Sequence, residues 1–408
     1  MMNCWEVKRL GDIGFFIRGV SYKKEQLLST KNENSVYLLR ANNIQNELNL
    51  DELQIIPKEL VVDKIIQNND ILFAMSSGSK HIVGKNILLN NLNDFTFGAF
   101  CGLFRIINLN ICHKFIAYYL RSDSYKNYIF NISKGSNINN LRFIDLEKFQ
   151  IPLPPLQEQE RIVGILDESF AKIDESIKIL EQDLLNLDEL MQSALQKAFN
   201  PLKDNAKENY KLPQGWEWKS LGDIGEIITG TTPSKNNPNF YGNEYPLFKP
   251  SDLNGDMVIK YASDNLSKVG FDNARNLPKN TILIVCIGAS IGKVGLSGVN
   301  GSCNQQINAI IPSSTFVSKY LFFVCLSNYF QEILKKNASQ TTLPIINKTE
   351  FSKLKIPLPP LQEQEQIASY LDRLSLNIKD LKQNYQMQIK NLQELKKSLL
   401  DKAFQGRL

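Results

Sequence analysis

Two long tracts of this chain set their apolar residues at the spacing of a helical seam. From Leu166 the apolar positions recur at Phe170, Ile173, Ile177, Leu180, Leu184, Leu187, Met191, Ala194 and Ala198, in steps of four and three without a slip. That is a coiled-coil seam. The second tract carries Leu371, Ile378, Tyr385, Leu392 and Leu399 at seven-residue steps, with a companion line expected at Leu374, Leu381, Gln388 and Leu395. Both tracts open on the same ten residues, IPLPPLQEQE, at 151–160 and again at 356–365, 205 positions later. Both close on Ala-Phe, at Ala198-Phe199 and Ala403-Phe404. Pro154-Pro155 and Pro359-Pro360 stop a preceding strand and pre-set φ for a first helical turn. Glu158, Glu160, Glu363 and Glu365 then fall in the early turns, where the helix dipole favours anions. A helix from 156 to 199 would span ~66 Å at ~1.5 Å per residue. Two equal seam-bearing helices in one chain are expected to pair antiparallel; the alternative is that each packs only on its own globule.

The regions between follow a different pattern. Short β-type runs stand at 35–40, 70–75 and 99–107, and again at 245–249, 281–287 and 306–311. A helical segment rich in Tyr, Phe and Leu follows each set, at 112–130 and 316–335. Polar loops come next, at 133–140 and 338–347, then short segments at 144–149 and 349–354. The starts also repeat: WEVKRLGDIG at 5–14 and WEWKSLGDIG at 216–225 agree at eight of ten positions. The chain is thus an internal duplication whose ends are kept and whose centres have diverged. It divides into globules 1–150 and 212–355, helices 151–200 and 356–408, and a polar linker 201–211.

Charge sharpens this picture. The net charge is +5, with +4 on residues 1–155, −6 on 156–199, +5 on 200–360, +1 on 361–404 and +1 from Arg407. Two weakly basic globules suit a polyanion. The longest apolar run, at 282–289, is too short to cross a bilayer, and the first residues lack the core of a signal peptide. With no CxxC pair, the six cysteines are expected to be free thiols in a reducing cytoplasm.

Catalytic signatures are sparse. Gly288-Ala289-Ser290-Ile291-Gly292-Lys293 is one residue short of a phosphate loop, and Val294 stands where the Mg²⁺-binding hydroxyl belongs. A tight turn after a buried strand fits it better. Asn237-Pro238-Asn239-Phe240 has the wrong third residue for an amino-methyltransferase motif and lacks a glycine-rich cofactor loop beside it. Pro-Asp never occurs, so the Pro-Asp…Glu-x-Lys nuclease signature is absent. The chain reads as a binder, not an enzyme, with no catalytic residue and no metal ligand assigned.

What remains is polar and basic, in loops that follow corresponding strands or precede the long helices. The candidates for DNA contact are Arg40, Asn42, Ser77, Lys80, Lys134, Asn137, Asn139 and Arg142 in the first half. In the second they are Lys249, Ser251, Ser290, Lys293, Gln305, Gln340, Thr341, Thr342 and Lys348. Asn, Gln, Arg and Lys can pair with purine edges, and Ser or Thr adapts to base or phosphate. Any one of them also fits an ordinary surface loop.

Two diverged globules beginning WxxxxLGDIG and ending IPLPPLQEQExI…LD, each followed by a long helix ending LxKAF, resemble the specificity subunit of type I restriction–modification systems. The likeness covers essentially the whole chain. One departure is that Leu212-Pro213-Gln214-Gly215 precedes Trp216 but has no counterpart before Trp5. The resemblance implies two α/β target recognition domains separated by a pair of long antiparallel coiled-coil helices. Each domain would read half of a bipartite, asymmetric site in double-stranded DNA. Methyltransferase subunits, two of them, would dock on the chain and carry S-adenosylmethionine. Translocase–nuclease subunits would bring ATP and Mg, and this chain itself would hold no cofactor. A stand-alone or fused adenine methyltransferase, or a coiled-coil scaffold that binds only protein, are the alternatives.

Overall fold

The computed structural model describes residues 5–45, 47–76, 82–134, 140–199, 212–339 and 343–408, the side chains of 133 and 134 excepted. The chain forms two compact units, Met1–Ile179 with Met387–Leu408, and Leu180–Gln386. The long helices run Leu156–Phe199 and Leu361–Phe404, so each contributes to both units. Among the described residues no helix is long and apolar enough to cross a membrane.

In the first unit a four-stranded sheet has the order Gly14–Arg18, Cys101–Ile106, Ile71–Ala74, Asn86–Leu88. A three-stranded sheet has the order Gln54–Pro57, Ser35–Leu39, Phe95–Phe97, with the last pair parallel. The second unit repeats both. Its larger sheet runs Ile227–Thr229, Ile307–Ile310, Ile282–Val285, Val294–Ser297, with Val258–Ile259 added at the edge. Its smaller one runs Asp264–Leu266, Tyr241–Phe248, Ser302–Cys303, again with the last pair parallel. The strands read from the sequence are present, most of them shorter, while the one expected at 245–249 begins earlier, at Tyr241, and ends at Phe248. Residues 99–100, expected as strand, form part of a turn.

The shared ends have structural reasons. Glu6–Arg9 pairs antiparallel with Gln150–Leu153, and Glu217–Ser220 with Lys355–Leu358, so the start of each half is stitched to the Ile-Pro motif. Leu-Gly-Asp-Ile is a single helical turn in both halves. Its aspartate accepts from the backbone N–H of the preceding cap residue, Asp12 from Arg9 and Asp223 from Ser220. A side chain at Gly14 would meet the Arg105 carbonyl at 2.4 Å, so only glycine fits there.

Each helical segment read as one is in fact two: His113–Tyr119 and Asp123–Lys134, then Ser318–Leu326 and Asn328–Lys336. A buried serine makes each break. Ser122 and Ser327 donate their hydroxyls back to Tyr119 and Val324 carbonyls, and Ser327 also caps the next helix at the Phe330 N–H.

Each long helix starts on its own globule. In the first unit Ile162, Val163 and Leu166 join the core formed by Leu10, Phe104, Phe115 and Ile151. The second Gln of LQEQE is a buried clamp. Gln159 accepts from the Cys112 N–H (2.9 Å) and donates to the Pro154 carbonyl (2.8 Å). Gln364 does the same with the Val317 N–H and the Pro359 carbonyl. Lys114 on Asp167 and Lys319 on Asp372 add an ion pair at each clamp.

The helices pair antiparallel within each unit. Arg161 donates to the Leu408 carbonyl, and thirteen residues further along, Asp174 meets Lys396. In the second unit Asp188 meets Lys382. The Ala-Phe endings cap a globule. Phe404 packs edge-on against Phe115 and Tyr119 in the first unit, and Phe199 against Tyr320 in the second.

Leu166, Ile173, Leu371 and Ile378 of the expected seam are buried, and Phe170, Ile177, Leu180, Leu184, Leu187, Tyr385, Leu392 and Leu399 are half-buried. The companion line of the second helix is corrected. Leu381, Gln388 and Leu395 are exposed, and only Leu374 packs on a core. The line facing inward is Ser375, Lys382, Ile389, Lys396 and Ala403. A helix offers companions at both three and four residues from each heptad position, and leucine content alone pointed to the wrong one. Lysine can occupy such a site because its stem packs while its ammonium reaches an aspartate. Lys396 also lies 4.8 Å from the centre of the Phe170 ring.

Candidate DNA interface

The loops that carry the candidates are laced together by backbone hydrogen bonds at one edge of each globule. In the first unit the turn 98–100 sits at the centre. The Gly98 N–H donates to the Leu39 carbonyl (2.9 Å), beside Arg40. The N–H groups of Met75 and Ser76 donate to the Phe100 carbonyl (2.9 and 3.1 Å), and the Leu141 N–H donates to the Met75 carbonyl (2.7 Å). Ser76 also bridges Asn140. The segments after three strands and the loop before the long helix therefore share one edge.

The second unit repeats the lacing. The Asn304 N–H donates to the Phe248 carbonyl (3.0 Å), beside Lys249, and the Cys286 N–H to the Gln306 carbonyl (2.8 Å). The Gly288 N–H donates to the Pro344 carbonyl and the Ile346 N–H to the Cys286 carbonyl. The phosphate-loop look-alike is the expected tight turn. Gly288 and Gly292 take positive φ of 98° and 93°, joining strands Ile282–Val285 and Val294–Ser297 with Lys293 exposed.

Individual candidates differ in how free they are. Arg40 is half-buried, and its Nε has no hydrogen-bond partner. Asn42 and Ser251 are exposed, and Ser290 is half-buried. Arg142 projects into solvent but grips Asp145 with two nitrogens, at 2.7 and 2.8 Å. That pairing holds the Asp145 carboxyl below its usual range. Lys249 is ion-paired with Asp264, whose carboxyl is likewise held low by that bond. Lys293 reaches the Pro250 carbonyl at 3.5 Å, drawing the 249–251 and 290–293 segments together. Gln305 is exposed, its Oε1 accepting from the Thr232 hydroxyl (2.8 Å) with its Nε2 left to donate. Lys348, exposed, opens the helix Lys348–Ser352, which Asn347 caps. Ser77, Lys80, Asn137, Asn139, Gln340, Thr341 and Thr342, and the side chain of Lys134, lie outside the described residues.

The sequence reading missed Phe100. It sits in FTFGAFCGLF, where every aromatic looks like strand core, yet it is 69% exposed in the central turn. No periodic signal marks it, because the turn interrupts an unbroken apolar run. The described cysteines, Cys101, Cys112, Cys286, Cys303 and Cys325, are all free. Burial pushes the thiols of Cys101, Cys286 and Cys303 up to about 12, which leaves them inert. Among the described residues no group of His, Cys, Asp or Glu could hold a metal ion.

A duplicated α/β globule with a laced loop edge and a paired long helix in each half is a scaffold with one candidate binding edge per half. Comparison with known proteins narrows the class. The family described as the type I restriction modification DNA specificity domain matches residues 2–184 and 213–391. The specificity subunit of the type I restriction enzyme StySPI from Salmonella potsdam is 30% identical over 421 residues, covering 99% of this chain and 89% of that protein. The EcoKI specificity subunit of Escherichia coli K12 is 29% identical at the same coverage of both. Among solved structures, a chain of a type I restriction–modification system superposes with a TM-score of 0.79 at 22% identity, covering 100% of this chain and 99% of that one. The HsdS subunit of Thermoanaerobacter tengcongensis gives 0.62 at 22% identity, covering 100% and 98%. The chain belongs to the type I restriction–modification specificity subunit family.

Proposed function

We propose that this chain reads a bipartite, asymmetric sequence in double-stranded DNA, one half-site per globule, on behalf of methyltransferase and restriction subunits that dock on it. One observation carries the reading: the two halves keep the same strand order and backbone lacing, while the side chains in the laced loops differ. A scaffold conserved around a changed surface suits two readers of two different half-sites. In the first reader Arg40, Asn42 and Arg142 would contact DNA, and Ser77, Lys80, Lys134, Asn137 and Asn139 extend the same loops in sequence. In the second, Lys249, Ser251, Ser290, Lys293, Gln305 and Lys348 would do so, with Gln340, Thr341 and Thr342 in the adjoining loop. Lysines and arginines would supply salt-sensitive phosphate contacts, and amides the base contacts. Two methyltransferase subunits would bring S-adenosylmethionine, and restriction subunits ATP and Mg; this chain would supply neither cofactor nor catalytic group. The adenine to be methylated would be flipped from the stack into the methyltransferase.

The test is a domain exchange. Residues 1–150 are replaced by the matching region of a relative and the methylated sites are mapped across a genome. One half-site should change and the other persist; change in both would refute separable readers. In a companion assay, the purified chain alone should transfer no labelled methyl group to DNA, and should do so only with a methyltransferase subunit added.

A further inference from the structure

We infer that Phe100 is a base-contacting residue of the first reader, packing its ring on the bases of that half-site, whereas the same turn position in the second reader holds Gln306, whose amide is bonded inside its own turn. The inference rests on the DNA-reading function proposed above and names one of its determinants.

The turns 98–100 and 304–306 are the same element. Gly98 and Asn304 donate to the carbonyls of Leu39 and Phe248, which end equivalent strands. Phe100 and Gln306 accept from the N–H groups of Met75 and Cys286, one residue beyond equivalent strands. The N–H groups of Cys101 and Ile307 close both turns on Gly98 and Asn304. Even the approach from behind is shared: a side chain at Gly19 or Gly230 would strike the carbonyl of Gly98 or Asn304 within 2.2 Å. The backbone of each turn is fixed on every side.

On this shared backbone the chemistry is opposite. The second turn reads Asn304-Gln305-Gln306. Asn304 donates to Gln306, and Gln306 lies within reach of the Ile287 carbonyl, so these two amides are spent inside the turn while Gln305 faces outward. The first turn reads Gly98-Ala99-Phe100, and Ala99 and Phe100 both face solvent. A ring presented to water on a turn held by these backbone bonds offers apolar area that a partner at this edge can cover. Among the other exposed apolar residues of this unit, Ile107 and Leu109 lie at the far end of strand Cys101–Ile106, and the aliphatic Ile144 stands two residues past Arg142. Phe100 is the exposed aromatic ring on the turn that laces the edge carrying Arg40, Asn42 and Arg142. Those polar and cationic neighbours favour a duplex over an apolar protein surface. Aromatic side chains contact thymine methyl groups or insert at base steps, and neither contact requires a hydrogen bond from the protein.

The test uses the complex of this chain with its methyltransferase subunits. The wild-type complex is first shown to prefer its own site, as mapped by genome methylation, over a scrambled duplex; absence of any preference would overturn the proposed function and this inference with it. Phe100→Ala should then raise the Kd for the cognate duplex by about 5- to 150-fold, the loss of one aromatic–base contact. Scrambled DNA should bind as before. The slope of log Kd against log salt should also be unchanged, since no phosphate contact is removed. Phe100→Trp should recover most of the affinity. With wild-type preference established, an unchanged Kd for Phe100→Ala would overturn the role of Phe100 alone. So would an equal loss on both duplexes, or loss of the methyltransferase from the complex.

Discussion

The two globules solve one packing problem with different side chains. Asp70 and Thr281 precede equivalent central strands, and each offers its carbonyl to the next strand, at Leu89 and Ser297. The residues before them, Asn69 and Asn280, both take positive φ, 69° and 68°. There the likeness ends. Asp70 is buried and binds Arg105 through both oxygens, at 2.9 and 2.7 Å. Thr281 instead donates to the Pro278 carbonyl, and Ser297 donates to the same carbonyl while accepting from the Thr281 N–H. One half closes its sheet with a charge pair across strands, the other with hydroxyls. Duplicated domains thus preserve backbone bonds and are free to change any side chain that the backbone does not require.

The strongest break in this comparison should come at the helix ends, where the halves are alike. Phe199→Ala and Phe404→Ala each open a cavity between a buried helix end and an aromatic core, and each should cost about 3–5 kcal/mol in its own unit. Hydrogen exchange read separately in the two units would show it. Loss of protection in the unit that does not hold the altered residue would mean that the caps are not local. Next comes the contrast at the sheet. Asp70→Ala leaves the Arg105 guanidinium without its carboxylate and should cost about 3 kcal/mol, at the low end for a buried pair because Arg105 still reaches water. Thr281→Val removes one hydroxyl bond and should cost about 1 kcal/mol. Equal melting shifts for the two variants would show that the charge pair is no more than a hydroxyl network in another form.

Smaller effects are expected at the clamps. Gln159→Ala and Gln364→Ala strand the buried N–H groups of Cys112 and Val317, at about 1–3 kcal/mol each. Gln364 should be the costlier of the two, because its Nε2 also reaches the Thr315 carbonyl at 3.4 Å. Chemical denaturation of the single variants would rank them. The smallest effect belongs to the seam. Lys382→Ala removes a partly exposed ion pair, about 0.2–1 kcal/mol, and should matter less as salt rises. Lys396→Ala removes a similar pair plus the contact with the Phe170 ring, adding about 0.5–1 kcal/mol. Double-mutant cycles with Asp188 and Asp174 would separate ion pair from ring, and a larger loss at Lys382 would reverse the assignment.

The sequence by itself determined the duplication, the two helices with most of their seam, and the family, because those rest on residue identity and spacing along the chain. Strand–helix–strand order followed from the same periodicities. Tertiary structure decided what the repeated letters do. Gln159 and Gln364 looked like two more polar residues on a helix face until a distant N–H was brought to each. Phe199 and Phe404 looked like simple endings until a globule closed over them. The companion seam line went to Lys382 and Lys396, with Leu381 and Leu395 left facing water, because aspartates stand opposite the lysines. Phe100 was indistinguishable from its buried neighbours, since a turn and a strand carry the same residues in an apolar run. For the glutamines, the terminal phenylalanines and the lysines the deciding partner is far along the chain, and periodicity reports only what lies within a few residues.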